Sequence, residues 1–267
     1  MRIRMLGCGG SQGVPSSAGE WGVCDPSDRR NHRTRPSILI EAETASPDPA
    51  DNPAGQISTL LVDTTPDLRL QLADAGVRRL DGVIYTHAHA DHLHGIDDLR
   101  PINKLMGAPI PIWATAQTIG EIQQRFGYAV QPALPGSSFH RPTLTPHLIG
   151  GPFKAAGIPI HPFNQDHGHS TSLGLRIGNF AYSTDVATLD EAAFEVLAGI
   201  EVWIVDCLRI APHPTHSHLE RTLSWIARLR PRRAILTHMD FSMDYRTLCE
   251  MLPAGVEPGF DGMEITL

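Results

Sequence analysis

The sequence predicts a layered α/β or α+β sandwich, and three observations support this prediction. Short apolar segments bounded by glycine, proline or polar residues recur along the chain, as is typical of buried strands. Amphipathic helical patterns lie between these segments. The chain closes with a strand, a helix and a strand, and no linker is long enough to divide it. We therefore expect a single domain over residues 1–267.

The apolar segments and helical patterns give explicit boundaries. Strands are predicted at residues 2–6, 37–41, 59–63, 82–86, 173–177, 180–183, 202–205 and 233–237. Helices are predicted at residues 66–75, 115–126, 189–197, 218–229 and 245–252, with Thr115 as an N-cap. Residues 46–55 are rich in Pro, Asp and Ala and predict an exposed hairpin loop, whereas residues 131–151 indicate irregular or edge-strand structure.

Composition excludes several classes of function. Hydrophobic residues make up 41% of the chain and charged residues 19%, which is typical of a globular protein with a core. The formal net charge of -7 argues against binding to large nucleic acids, although a nucleotide-sized substrate stays compatible with it. No signal peptide or membrane span is evident, and the four cysteines are scattered without a CxxC pair. A cytoplasmic protein without a membrane partner is expected, and homodimer formation stays open.

The strongest chemical signal is the stretch YTHAHADHLHG, residues 85–95, which follows the apolar run 82–85. His87 and His89 lie two residues apart, so an extended backbone directs both to one side. Asp91 and His92 follow on the turn that begins a helix and are placed to reach a second ion. Imidazole and carboxylate groups suit zinc, manganese or iron. His94 lies beyond the motif, where a surface or supporting role is expected.

Further ligands are expected at later strand ends. Asp185 and His238 each follow a predicted strand, as the first motif does, and His167 follows a weaker apolar stretch. A single histidine or aspartate in such a place is usually part of a turn. Three of them after an HxHxDH motif favour a metal site with two ions.

This order of motifs resembles the metallo-β-lactamase-fold hydrolase superfamily. HxHxDH is followed by a histidine, a (S/T)-D pair and a terminal (L/T)-H pair. The segments GCGGSQGVP (7–15), RNHRTRPS (30–37) and FDGMEI (260–265) resemble the branch containing phosphoribosyl 1,2-cyclic phosphate phosphodiesterases, which is similar to the tRNase Z group. The resemblance implies a four-layer αββα sandwich and a dinuclear hydrolase.

The resemblance also implies roles for individual residues. One ion would be held by His87, His89 and His167, the other by Asp91, His92 and His238, and Asp185 would bridge them. Asp166-His167-Gly168-His169 offers two histidines, and His167 is favoured because His-Gly is the commoner form in the group.

Three more residues are placed by the same resemblance. His216 matches a histidine that faces the substrate phosphate, close to a helix N-terminus that attracts anions. His218 corresponds to a helix-capping position. Asp63 matches an aspartate beneath the metals that orients ligands, although an ordinary turn aspartate is an equal alternative.

The chain departs from the phosphonate-pathway enzymes in one segment. Those enzymes carry extra cysteines after the Gly-Val-Pro turn that help to build a structural zinc site, whereas residues 16–25 contain only Cys24. We expect no such second kind of site here, because one thiolate does not make a tetrahedral zinc site. The chain also lacks the long basic insertion that tRNase Z uses to hold tRNA.

The sequence therefore predicts a metal-dependent phosphodiesterase. Its substrate would be a small, cyclic phosphodiester of a sugar or nucleotide, attacked by a hydroxide that bridges two Zn or Mn ions. Asp91 and Asp185 would act mainly as ligands, with Asp91 also able to accept a proton, and His216 would stabilise charge or protonate the leaving oxygen. Arg100 could clamp phosphate or pair with Asp97 or Asp98. The alternatives are a thioesterase or lactonase of the glyoxalase II type, and a ligand-sensing scaffold without catalysis.

Overall fold

The computed structural model describes residues 1–45, 56–132, 136 and 138–267. The chain divides into two compact units. The first comprises Met1–Leu6, Ser37–Pro159 and Glu264–Leu267, and the second comprises Gly7–Pro36 and Ile160–Met263. The hairpin loop predicted at 46–55 lies outside the described residues.

Strands and helices alternate along the described chain. The strands are β1 (Arg2–Gly7), β2 (Ser37–Thr44), β3 (Gln56–Val62), β4 (Gly82–Ile84), β5 (Ile110–Ala114), β6 (Leu144–Leu148), β7 (Phe153–Ala155), β8 (Ile158–Asp166), β9 (Thr171–Ile177), β10 (Phe180–Ser183), β11 (Val202–Asp206), β12 (Arg233–Thr237), β13 (Val256–Pro258) and β14 (Glu264–Thr266). The helices are α1 (Leu68–Asp74), α2 (Ala90–Leu93), α3 (Arg100–Met106), α4 (Ala116–Phe126), α5 (Glu191–Leu197), α6 (Leu219–Leu229) and α7 (Tyr245–Met251). Within the described part of the chain, no helix has the length and apolar character that crossing a bilayer demands.

Two mixed sheets form from these strands. Among the described residues, one sheet has the order β14-β1-β2-β3-β4-β5-β6 and the other β13-β12-β11-β10-β9-β8-β7. In the first sheet β2 pairs with β3 in the antiparallel direction. The neighbouring pairs β3–β4, β4–β5 and β5–β6 are all parallel. In the second sheet β10, β11, β12 and β13 run parallel, and β9 is antiparallel to β10.

Parallel pairing explains where the polar residues collect. The carboxyl ends of neighbouring parallel strands meet at one edge of a sheet, which is where α/β proteins usually place their sites. In the first sheet this edge holds Asp63 and Thr86, which follow β3 and β4. In the second sheet it holds Asp185, Asp206 and His238, at the ends of β10, β11 and β12.

The first unit has a contiguous apolar core beneath its site edge. Leu61, Val83 and Ile112 are fully buried and lie side by side in register on β3, β4 and β5. Burying one such side chain contributes about 1.5–3 kcal/mol. The core thus fixes the strands whose ends carry the polar residues.

Most predicted elements are confirmed, and most of the misses are short. The strands at 180–183 and 233–237 have the predicted bounds, and Thr115 caps α4 by accepting a hydrogen bond from the Thr118 N–H. The edge strand β6 falls in the segment 131–151, where irregular or edge-strand structure was predicted. Strands β5, β7, β8, β13 and β14 and helix α3 were not predicted. Apart from the nine-residue β8, each is seven residues or shorter, and β7, β13 and β14 form sheet edges, where periodicity is weak.

Gly95 allows the segment after the HxHxDH motif to return to β3. Its N–H donates to the Thr64 carbonyl at 2.9 Å. A Cβ atom at this position would lie 1.9 Å from the Thr65 carbonyl oxygen. Only glycine therefore fits this close approach of two backbone segments.

Gly95→Ala is expected to lower the free energy of unfolding by about 3 kcal/mol or more, because backbone must move to admit the methyl group. Urea unfolding of the two proteins measures this difference. Gly120→Ala is the matched control: Gly120 lies in the middle of α4 with open space around it, and alanine there should stabilise by about 0.5–1 kcal/mol. Equal stability of Gly95→Ala and wild type would refute the close approach.

Candidate functional site

The HxHxDH motif forms a compact cluster in the first unit. The ring centroids of His87 and His89 are 4.6 Å apart, and those of His87 and His92 are 4.3 Å apart. Nε2 of His92 lies 3.5 Å from the Asp91 carboxylate. His87 and His92 are buried, and His89 is exposed as the N-cap of α2. The predicted grouping of these four side chains is therefore observed, and their roles as ligands remain predictions.

Asp63 organises this cluster from below. Its Oδ1 accepts the Thr86 N–H at 2.8 Å, and its Oδ2 accepts the Thr86 hydroxyl at 2.8 Å. Nδ1 of His92 lies 2.8 Å from the same Oδ2, and both side chains are fully buried. An ionised carboxylate only accepts hydrogen bonds, so His92 donates from Nδ1 and presents Nε2 to a ligand.

The same carboxylate reaches His87 through Thr86. Nδ1 of His87 lies 3.0 Å from the Thr86 hydroxyl oxygen. The Thr86 hydroxyl proton is directed to Asp63, so this oxygen accepts from His87 Nδ1–H. Asp63 thus orients two histidines, which favours the ligand-orienting role over the alternative of an ordinary turn aspartate.

Asp63 has an uncommon backbone conformation, and its carboxylate charge is buried. Its φ of 65° lies in the left-handed region, which is uncommon outside glycine and concentrates at functional sites. Burial raises the pKa of Asp63 above its ordinary value, and the adjacent His92 and the hydrogen bonds from Thr86 act in the opposite direction. The network therefore offsets the burial of the charge.

In the second unit, Asp185 lies among three histidines. Its Oδ2 is 3.5 Å from His167 Nε2 and 3.9 Å from His216 Nε2, and its Oδ1 is 3.3 Å from His238 Nε2. Asp185 and His238 have positive φ values of 54° and 58° directly after their strands. The structure thus brings together the four site residues predicted in this unit, all of them buried.

His167 is positioned by the backbone carbonyl of Thr215 and by the glycine that follows it. Its Nδ1 lies 2.7 Å from the Thr215 carbonyl oxygen, which can only accept, so Nε2 carries the lone pair. Gly168 follows with a φ of 76°, and a Cβ there would lie 2.6 Å from the Thr215 methyl carbon. This requirement gives a physical reason for the His-Gly pair. His169 is exposed.

His216 has a buried carboxylate partner that the sequence analysis missed. Nδ1 of His216 lies 3.2 Å from Asp206 Oδ2, and the same oxygen accepts the Val186 N–H at 2.9 Å. The His216 ring stacks on the His238 ring at 4.6 Å. Asp206 follows the apolar residues 202–205 just as Asp185 follows β10, so the same strand-end signal could have identified it.

Other candidates take supporting positions. His94 packs edge-on against Phe126 at 5.6 Å, and Arg125 beside it donates to the Ala88 carbonyl between the two motif histidines. Arg125 was not anticipated. Arg100 donates to the His140 carbonyl, and its positive charge opposes the rise in the pKa of Asp98 that burial causes. Its role as a phosphate clamp stays a prediction.

His218 lies at the helix-capping position that the resemblance implied, and Arg33 holds the backbone near residues 240–243. His218 is the N-cap residue of α6, but its side chain makes no capping hydrogen bond to described residues. Arg33 belongs to the segment 30–37 described above. It is buried and donates to the carbonyls of Asp240 and Met243.

The donor set fits divalent metal ions. His87, His92 and His167 each engage Nδ1 with an oxygen acceptor, and Nε2 of His92 and of His167 lies 3.5 Å from the carboxylates of Asp91 and Asp185. This arrangement is the usual support for histidine ligands of metals. Imidazole and carboxylate donors of this kind suit zinc or manganese.

Asp63→Asn is expected to weaken metal binding in the first unit by about 10–100-fold, because an amide cannot accept all three hydrogen bonds. Competition with a chromogenic chelator measures the affinity without any turnover. Asp74→Asn, at an exposed position in the same unit, is the control and should bind metal like wild type. Wild-type affinity in Asp63→Asn would contradict the orienting role.

Comparisons with known proteins agree with this fold. Residues 58–239 match the family model described as a beta-lactamase superfamily domain. A solved structure described as a new diphosphatase from the PhnP family is 30% identical, with a TM-score of 0.86, and the match covers 100% of this chain and 97% of that one. The metallo-beta-lactamase fold protein YhfI from Bacillus subtilis is 16% identical over 99% of this chain and 98% of that one, with a TM-score of 0.70, which confirms the predicted fold class.

One curated relative differs in length. An octanoyltransferase from Porphyromonas gingivalis is 30% identical over 99% of this chain but only 51% of the relative. The chain spans about half the length of this curated relative, whose name describes the longer protein. The matches over most of the chain show that it belongs to the beta-lactamase superfamily of metal-dependent hydrolases and, within it, to the PhnP family.

Proposed function

We propose that the protein is a phosphodiesterase that uses two divalent ions, Zn or Mn, to hydrolyse a small cyclic phosphodiester of a sugar or nucleotide. The observation that carries this proposal is the buried pair of His216 and Asp206. Nε2 of His216 also lies 3.9 Å from Oδ2 of Asp185. A relative described as a diphosphatase, which breaks a bond to phosphorus, supports the same chemistry.

Seven side chains would hold the ions, as the resemblance to the metallo-β-lactamase-fold hydrolases implies. They are His87, His89, Asp91, His92, His167, Asp185 and His238. When bound, two such ions lower the pKa of a water and neutralise charge on phosphoryl oxygens. Asp63, Thr86 and the Thr215 carbonyl keep the ligand histidines oriented, so little reorganisation is needed during the reaction.

His216 supplies the proton that the leaving group needs. Asp206 accepts from Nδ1, which leaves Nε2 as the atom that faces the reacting group. Cleavage of an alkyl phosphodiester expels a strongly basic alkoxide, and donation of the Nε2 proton to that oxygen lowers the barrier. The Asp206 carboxylate stabilises the protonated imidazole before the transfer. This role fits a phosphoester with a poor leaving group better than an activated ester.

Two alternatives use the same residues. A thioesterase or lactonase of the glyoxalase II type would keep the ligands and change the bond that is broken. The octanoyl group in the name of the longer relative makes an octanoyl ester a suitable probe for acyl chemistry. A ligand-sensing scaffold would bind metal without any turnover.

Metal-free protein is expected to be inactive towards bis(p-nitrophenyl) phosphate and to regain turnover with added Zn or Mn. Asp185→Asn should lower kcat by at least about 10³-fold, because one neutral amide replaces the carboxylate shared by three histidines. Release of p-nitrophenol measures both effects. Asp74→Asn serves as the exposed control and should retain activity.

The alternatives give different outcomes in that assay. Turnover of p-nitrophenyl octanoate or a lactone without diester hydrolysis would replace the phosphodiesterase with an acyl hydrolase. Metal binding with no turnover of any of these substrates, or of ribose 1,2-cyclic phosphate and nucleoside 2',3'-cyclic phosphates, would favour the sensing scaffold.

Asp206→Asn is expected to affect substrates according to their leaving group. Turnover of ribose 1,2-cyclic phosphate, which expels an alkoxide, should fall by about 100-fold, within the range of general acid catalysis. Turnover of bis(p-nitrophenyl) phosphate should fall much less, because p-nitrophenolate leaves without a proton. Metal content by atomic absorption should equal that of wild type. An equal loss for both substrates would contradict proton donation through His216.

A further inference from the structure

A cavity of about 250 Å³ opens beside His216 within the second unit. Its lining combines the turn at residues 10–13 with two apolar side chains, Leu208 and Phe241, and with the polar residues Arg209, His213 and Asp240. Pockets for drug-sized ligands usually measure about 300–1,000 Å³. The cavity is therefore suited to a group about the size of a monosaccharide rather than a nucleic-acid strand.

His213 lines this cavity, and its hydrogen bond to Thr215 defines which ring nitrogen can donate. Its Nδ1 accepts the Thr215 N–H at 3.3 Å, and a backbone N–H can only donate. The proton of the neutral ring is therefore on Nε2. Burial lowers the pKa of His213 below its ordinary value, and the nearby His216 and Arg209 act in the same direction. The ring is thus a neutral donor at Nε2 near physiological pH.

Arg209 and Asp240 balance the charge of the cavity. Nε and Nη2 of Arg209 donate to the carbonyls of Ala211 and Pro212, which holds the loop that carries His213. Asp240 brings one carboxylate, whose Oδ1 accepts from the N–H and hydroxyl of Ser242. One cation and one anion together do not favour a second phosphate. They suit neutral hydroxyl groups, which both donate and accept.

The cavity walls are fixed by backbone hydrogen bonds. The N–H of Gly10 donates to the Met239 carbonyl at 3.0 Å, and that of Asp240 donates to the Leu208 carbonyl at 2.9 Å. A Cβ on Gly22, whose φ is 55°, would lie 2.4 Å from the Phe241 carbonyl oxygen. A preformed cavity loses little conformational entropy when a ligand binds.

We propose that this cavity seats the polyhydroxylated sugar of the leaving group, and that His213 determines selectivity for it by donating Nε2–H to a sugar hydroxyl. The Phe241 ring offers an apolar surface to the sugar, and Asp240 offers an acceptor for a second hydroxyl. The proposal deepens the proposed function and rests on it, because the sugar is placed next to the proton donor His216. Diesters that lack hydroxyls would use the site without this contact.

Binding of D-ribose 1-phosphate and of methyl phosphate to the metal-loaded protein tests the proposal, with affinities measured by calorimetry. Wild type should prefer the sugar phosphate by about tenfold or more, and His213→Asn should lose about tenfold of this preference, the effect of one hydrogen bond. Asparagine keeps an acceptor for the Thr215 N–H but removes the donor at the Nε2 position. His213→Gln, which restores a donor there, should recover part of the preference.

His161→Ala is the matched control, since His161 is an exposed histidine of β8 in the same unit, and it should bind both ligands like wild type. A preference that persists in His213→Asn, or its absence in wild type, would overturn the proposal. Kinetics with ribose 1,2-cyclic phosphate separate the two ideas. If the protein binds the sugar phosphate preferentially but does not hydrolyse the cyclic phosphate, the proposed phosphodiesterase activity is refuted and the sugar pocket is retained. If it hydrolyses the cyclic phosphate without preferring the sugar phosphate, the activity is retained and the sugar pocket is refuted.

Discussion

The buried carboxylate of Asp63 is the constraint on which the first unit's site depends. It accepts three hydrogen bonds at 2.8 Å, two from Thr86 and one from His92, and thereby joins the ends of β3 and β4 to the start of α2. A buried carboxylate is tolerated only with such partners. The same bonds that stabilise the charge also set which nitrogen each histidine presents. Folding and ligand orientation therefore rest on one group.

The second unit reaches a similar result with different partners. The Thr215 carbonyl holds His167, and Asp206 holds His216, in each case through Nδ1. Asp185 and His238 follow parallel strands with backbone in the left-handed region, which turns their side chains towards the edge of the sheet. The common principle is that strand ends supply the functional groups and buried acceptors fix their direction.

Much of this site could be predicted from the sequence because histidines and aspartates are closely spaced in one short motif. HxHxDH after an apolar run is rarely accidental, and the strand-end positions of Asp185 and His238 followed from local patterns. Asp206 was missed although its position resembles that of Asp185, because a lone aspartate after a strand usually belongs to a turn. The supporting roles of Thr86, Arg125 and the Thr215 carbonyl depend on contacts between distant segments, which no local pattern encodes. Short edge strands such as β13 and β14 were missed for the related reason that pairing, not periodicity, defines them.

Anomalous X-ray diffraction from crystals of the manganese-loaded protein would show which nitrogen of each histidine meets the metal. Internal acceptors occupy Nδ1 of His87, His92 and His167, which leaves Nε2 for the metal. This arrangement predicts anomalous peaks at about 2.0–2.3 Å from Nε2 of these three histidines, with Nδ1 still bonded to protein. Peaks next to Nδ1 of these residues, or no peak near any of them, would contradict it.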